Sequence, residues 1–203
     1  VLTDFEDVSP EAVAAWRQTG MAHDAAPVPQ RPQERQAWMR FKSQTLTRFT
    51  LDLRQAVQAI RGPQVKTARN LFALPILEPQ SEAWFAQNLD DFLAAYDWTV
   101  PMAMPLMESV PIDASQAWLT RLVQAVARHP GALKKTIFEL QARDWNRRQQ
   151  NAIPDQQLAD WMRLLRLNGV KNYGYYPDDF INNQPDISRI RPQFSSWWYP
   201  DHD

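Results

Sequence analysis

Carboxylates and aromatic rings are the side chains of this 203-residue chain whose placement could do chemistry. Asp4, Glu6 and Asp7 crowd the start of the chain, just before Ser9. Glu78, Glu108 and Glu139 end apolar runs or fall inside them. Trp84, Trp145, Tyr173, Tyr175 and Tyr176 stand close to the same runs. Two carboxylates flanking a glycosidic bond are what its hydrolysis requires. Flat aromatic faces suit the stacking of sugar rings, and they pack protein cores equally well. The acids also have plain structural explanations. Asp4, Glu6 and Asp7 suit the positive end of a helix. Glu139 could be paired with Lys66, Arg69 or Lys171, because an unpaired buried charge is costly.

These residues depend on four runs that share one pattern: 70–78 (NLFALPILE), 98–108 (WTVPMAMPLME), 136–145 (TIFELQARDW) and 170–178 (VKNYGYYPD). An amphipathic helical pattern separates each run from the next, which predicts consecutive β-α units with strands buried on both faces. Strands are expected at 70–77, 99–104, 136–141 and 170–175. Ser9-Pro10 opens a short helix to about residue 16, and a proline-rich loop fills 21–34. A long helix then carries Trp38, Phe41, Phe49, Leu53, Val57 and Ile60 and stops at Gly62-Pro63. Ser81 is expected to cap a helix bearing Phe85, Leu89, Phe92 and Leu93, and Ser115 to open one bearing Trp118, Leu119, Leu122 and Val126. A further helix over 155–167 shows an apolar stripe at Leu158, Trp161, Met162 and Leu165. After Pro177 the chain reads as irregular and aromatic, through Trp197, Trp198 and Tyr199.

Strand-to-strand spacing of roughly thirty to thirty-six residues is that of a βαβ unit. The expected architecture is a (β/α)-barrel of which residues 1–203 form the C-terminal half to two-thirds. An open doubly wound sheet is disfavoured, because no glycine-rich phosphate loop follows any strand. Parallel units place their strand ends on one rim, where barrel enzymes build their sites. Side chains alternate along a strand, so Tyr173 and Tyr175 share one face and Tyr176 shares the other with Gly174. Trp145, beyond its strand, is the better open stacking platform. A half-barrel leaves two strand edges unpaired. Strands upstream of Val1 are therefore expected to complete it, and the isolated chain to be poorly soluble or dimeric.

Composition excludes several classes. A net charge of −1 gives no nucleic-acid footprint. No apolar run approaches the roughly 20 residues of a membrane span. The absence of cysteine excludes disulfides and thiol catalysis. His23, His129 and His202 have no second histidine or acid at ligand spacing, so no metal and no other cofactor is assigned. Neither GxSxG, a phosphate loop nor HExxH occurs.

Long stretches of the chain resemble a known family. They are DFED, RFKSQTLTRFTLDL, IRGPQVKTARNLFALPILEPQSEAWFAQNLDDFLAAYDWTVPMAMP, QLADWMRLLRLNGVKNYGYYPDDF and IRPQFSSWWYP. On these the chain is similar to the C-terminal domain of the periplasmic poly-β-1,6-N-acetylglucosamine N-deacetylases of biofilm-forming Gram-negative bacteria, the PgaB/HmsF family. The resemblance implies a two-domain protein whose first domain, a metal-dependent deacetylase, has no counterpart here. It implies a second, (β/α)-barrel domain that binds the partly deacetylated polymer and hydrolyses it. It implies a periplasmic, outer-membrane-associated setting with an export porin as a possible partner. By the same resemblance Asp4 matches a functional acid, and Trp84, Trp145 and Tyr176 match groove aromatics. Glu108, Glu139 and Tyr175 are added from their strand-end positions alone.

Two functions compete. One is a glycoside hydrolase with Asp4 in catalysis and its partner acids upstream. The other is a module that holds the polymer and passes it towards export uncut. A third reading is that the fragment alone is inactive. Deacetylated units carry amines that are cationic near neutrality, so carboxylates and ring faces would attract them in either case.

Overall fold

The computed structural model describes residues 10–18, 32–145 and 151–194. The apolar runs form four short strands, and amphipathic segments form the helices around them. In chain order the elements are α1 (Pro10–Gln18), α2 (Pro32–Arg61), β1 (Ala68–Leu71), α3 (Ala73–Leu77), α4 (Glu82–Phe85), α5 (Leu89–Ala95), β2 (Trp98–Ala103), α6 (Ile112–Ala127), β3 (Phe138–Gln141), α7 (Asp155–Leu167), β4 (Tyr173–Tyr176) and α8 (Ile187–Ile190). The strands make one sheet in the order β1-β2-β3-β4, and every neighbouring pair is parallel. The fold is thus α/β with a parallel sheet, as the spacing predicts.

Register separates the two faces of the sheet. Met102 pairs with Glu139, and Glu139 with Gly174; Ala103 pairs with Leu140, and Leu140 with Tyr175. Leu71, Ala103, Phe138 and Leu140 are fully buried in one core with Phe92, Leu119, Leu122, Trp161, Met162 and Leu165 from α5, α6 and α7. Alternation sends their neighbours to the other face. That second face carries Asn70, Met102, Glu139 and Tyr176 and is open.

Local chemistry sets several boundaries. Gly62 stops α2 at φ 96°, where its N–H still reaches the Gln58 carbonyl at 2.9 Å. The expected strand over 70–77 is corrected to the four residues Ala68–Leu71, and Ala73–Leu77 is helical. An unbroken apolar run does not distinguish a strand from a buried helix by its period. Pro75 fits the first turn of α3, where a missing N–H costs nothing. The single helix expected from Ser81 is two: Ala86 turns left-handed at φ 50° and ends α4, and the Asn88 side chain accepts the Asp91 N–H to start α5. Ser81 makes no capping bond. Nor does Ser115 open its helix. α6 begins at Ile112, and Ser115 is buried inside it, accepting a hydrogen bond from Trp161 Nε1 at 2.8 Å. The last strand lies at Tyr173–Tyr176, not 170–175.

α2 departs furthest from its pattern. Trp38 is buried, but Phe49, Leu53, Val57 and Ile60 are exposed, together with Leu46. The helix is docked by Trp38 and Leu51 together with polar contacts. Arg40 bonds Glu82 at 2.8 Å and both oxygens of Asp91, and Arg54 donates to the Ala95 carbonyl.

Candidate functional site

Because β1, β2, β3 and β4 lie side by side, one residue of each meets the others on the open face. Asn70, Met102, Glu139 and Tyr176 line a pocket of about 300 Å³, and Met104, Met107 and Trp145 complete it from the segments after β2 and β3. Trp145 and Tyr176 stack, with ring centroids 6.1 Å apart and planes at 25°. Tyr176 is half-exposed. Glu139 Oε2 accepts from Asn70 Nδ2 at 2.9 Å. Burial pushes the Glu139 carboxyl above its ordinary range, and the Asn70 bond pulls it part of the way back.

Gln141 holds the pocket wall. It is fully buried, its side-chain oxygen accepts the N–H groups of Leu106 (2.7 Å) and Met107 (3.3 Å), and its amide donates to the Arg143 carbonyl (2.9 Å). Met107, and the start of the segment that leads to Trp145, are therefore tied to one side chain on β3. A polarisable apolar floor, a stacked aromatic pair and one carboxylate can grip a pyranose: rings on its C–H face, the carboxylate on a hydroxyl or an amine.

The expected site residues are divided between places. Glu139, Trp145 and Tyr176 come together. Tyr175 lies on the helix-covered face, packed on Phe194 at 6.1 Å, with its hydroxyl on Asp178 at 3.1 Å. Burial, then Asp178, raises its pKa. Glu108 lies in a separate cleft of about 550 Å³ with Glu78, Trp118, Arg121 and Arg128. Burial and then the Glu78 charge raise the Glu108 carboxyl. Trp84 is exposed on α4 and lines neither cavity. Asp4, Glu6 and Asp7 fall outside the described residues, as do Trp197, Trp198 and Tyr199. The ion pairs weighed for Glu139 with Lys66 and Arg69 do not form: Lys66 meets Asp97 at 3.2 Å, and Arg69 lies over the Phe92 ring.

Asn70, Met102, Met104, Met107 and Gln141 were not foreseen. The alternation of Met102, Ala103 and Met104 was a usable signal, since it sends both methionines to one face. Among the described residues Glu139 is the one carboxylate lining this pocket.

A parallel α/β sheet thus carries a carboxylate beside stacked rings on its open face, and the family match places the chain among glycoside-hydrolase-like proteins. The chain belongs to hypothetical glycosyl hydrolase family 13 (GHL13), whose model matches residues 1–176. It is 53% identical over 204 residues to the poly-beta-1,6-N-acetyl-D-glucosamine N-deacetylases of Escherichia coli K12 and O157:H7. That match spans all of this chain and 30% of each relative. The solved PgaB (BpsB) glycoside hydrolase domain from Bordetella bronchiseptica superposes with a TM-score of 0.87 at 44% identity, over 96% of this chain and 54% of that one. The resemblance drawn from the sequence stretches stands on all these matches.

Proposed function

We propose that residues 1–203 are the C-terminal part of a (β/α)-barrel glycoside hydrolase domain that binds and cleaves partly deacetylated poly-β-1,6-N-acetylglucosamine. The observation that carries the reading is Glu139 beside the stacked Trp145–Tyr176 pair on the open face of the sheet. The ring pair offers a stacking surface, and the carboxylate offers a partner for the amine of a deacetylated unit. The family and the similarity to a PgaB glycoside hydrolase domain support the reaction class, and the names of the Escherichia coli relatives support the polymer. Barrel completion by an upstream half is supported by the uncovered apolar stripe of α2 at Leu46, Phe49, Leu53, Val57 and Ile60. Asp4 is the proposed catalytic acid and Trp84 a further polymer contact; Glu108, in its separate cleft, and Tyr175, on the helix-covered face, are left out of this groove. A periplasmic, outer-membrane-associated setting with an export porin as partner belongs to the same proposal, and the deacetylase activity belongs to the other domain of the relatives.

One observation favours a second reading, a binding module that guides the polymer uncut. Carboxylate hydrolysis uses two acids, and among the described residues this pocket has Glu139 alone. The test is incubation of the chain, and of a form extended by the upstream segment of its relatives, with the partly deacetylated polymer. Released oligosaccharides are read by mass spectrometry. The hydrolase reading expects cleavage by the extended form, and Asp4→Asn that binds without cutting. Binding with no cleavage by either form selects the guiding module.

A further inference from the structure

The segment after β4 exposes two large apolar side chains side by side. Phe180 is 83% and Ile181 91% exposed. Single exposed apolar residues are ordinary, but a paired patch marks a contact surface. The loop that carries them is firmly closed. Asp179 and Gln184 exchange both backbone hydrogen bonds at 2.9 Å. The Asp179 carboxylate accepts the Asn182 backbone N–H (3.1 Å) and side-chain amide (2.9 Å). At its far end the Asp186 N–H donates to Asp155 at 3.1 Å. Ordering a loop costs conformational entropy, and here the ordered loop leaves its apolar side chains in water.

Its location ties it to the pocket. Arg143 meets Asp179 at 3.9 Å. Arg143 is two residues before Trp145, and Asp179 is three after Tyr176, so this contact joins the two segments that carry the stacked pair. The Tyr176-to-Phe180 chain spans at most about 14 Å, within reach of a short oligosaccharide. The segment carries Asp178, Asp179 and Asp186; Arg143 faces Asp179 and Arg189 lies 3.5 Å from Asp186, while Asp178 accepts the Tyr175 hydroxyl. Asp178, beside the ring-bearing strand end, is the carboxylate suited to the amine of an amino sugar.

We propose that Phe180, supported by Ile181, is an outer subsite that takes the C–H face of a distal sugar ring of a cationic hexosamine oligosaccharide whose other rings lie over Trp145 and Tyr176. The proposal rests on the carbohydrate reading of the pocket. It is tested by calorimetric titration of a length series of β-1,6-linked glucosamine oligomers, from the disaccharide upward. Phe180→Ala is compared with Phe180→Trp and Trp145→Ala. Phe180→Ala is expected to weaken the longer oligomers about three- to tenfold and leave the disaccharide unchanged. Phe180→Trp restores the longer ones, and Trp145→Ala weakens every length. No loss at any length with Phe180→Ala, or the same loss at all lengths, overturns the subsite. If Trp145→Ala is also silent, the carbohydrate reading of the pocket fails and takes the subsite with it.

Discussion

Asn70 on β1 and Glu139 on β3 are hydrogen-bonded to each other at 2.9 Å across the intervening strand β2. The bond holds the pocket's carboxylate over Met102, the residue that pairs with Glu139 in the sheet. Burial lifts the Glu139 pKa above 4.5, and the Asn70 bond opposes that lift. A raised pKa means that the ionised form is less favourable folded than unfolded. The penalty is absent below the unfolded pKa and complete above the folded one. Glu139→Gln is therefore expected to raise the melting temperature at neutral pH and to leave it unchanged near about pH 3. Melts across that range check it. Binding of amine-bearing oligosaccharides should weaken in the same variant.

Trp145→Ala removes one plate of the stacked pair. Sugar affinity is expected to fall by about 1 kcal/mol, roughly fivefold, from lost ring contact. Titration of the disaccharide measures it, with thermal stability nearly unchanged because Trp145 is only half-buried.

Ser115→Ala strands the Trp161 indole N–H inside the core between α6 and α7. A buried donor without an acceptor costs about 1–3 kcal/mol. Urea unfolding should show that loss, and Ser115→Thr, which keeps a hydroxyl, should recover part of it.

Arg40→Ala breaks the polar docking of α2. Glu82 would lose its guanidinium while buried, keeping the Asn88 amide at 2.9 Å among the described residues. The expected cost is about 2–3 kcal/mol, below that of a fully buried pair because a third of Arg40 is exposed. Arg40→Met, which keeps the stem, should be nearly as damaging if charge rather than packing is at stake. Denaturant midpoints separate the cases.

Asp97 fastens the start of β1. The Thr67 backbone N–H, opposed by burial and helped to a lesser degree by Lys66 and the Thr67 hydroxyl, holds its carboxyl down from 3.8 to about 2. Its stabilisation is present above the unfolded value and lost as pH falls through about 2. Asp97→Asn should flatten that part of the acid-unfolding curve. The ionic share is small, because solvent screens the site.

The sequence was most informative where a local signal and the tertiary contacts agreed. The helix expected at about 155–167 is the observed α7, because Leu158, Trp161, Met162 and Leu165 are all buried on one stripe. α2 shows the opposite. Its apolar positions gave the helix but not its packed side, since Arg40 and Arg54 dock it while Phe49 and Leu53 stay exposed. Glu139, Trp145 and Tyr176 were legible as candidates from residue type and strand position. That Glu139 stands beside Tyr176 and not beside Tyr175 is a matter of register and alternation. Glu108 shares the strand-end position that marked Glu139, yet the chain after β2 carries it to the separate cleft. No local pattern separates those two outcomes. Asn70 and Gln141 have the residue types of ordinary strand positions, and their importance lies in partners far away in sequence.

Gln141 also has a consequence for timing. Its one buried side-chain oxygen accepts the amides of both Leu106 and Met107, while its amide holds Arg143. The segments after β2 and β3 therefore cannot loosen independently at this point, and the pocket wall opens as a unit. Hydrogen exchange should register a single event, with the Leu106 and Met107 amides released at matching rates. Replacement of Gln141 by leucine should let the two rates drift apart.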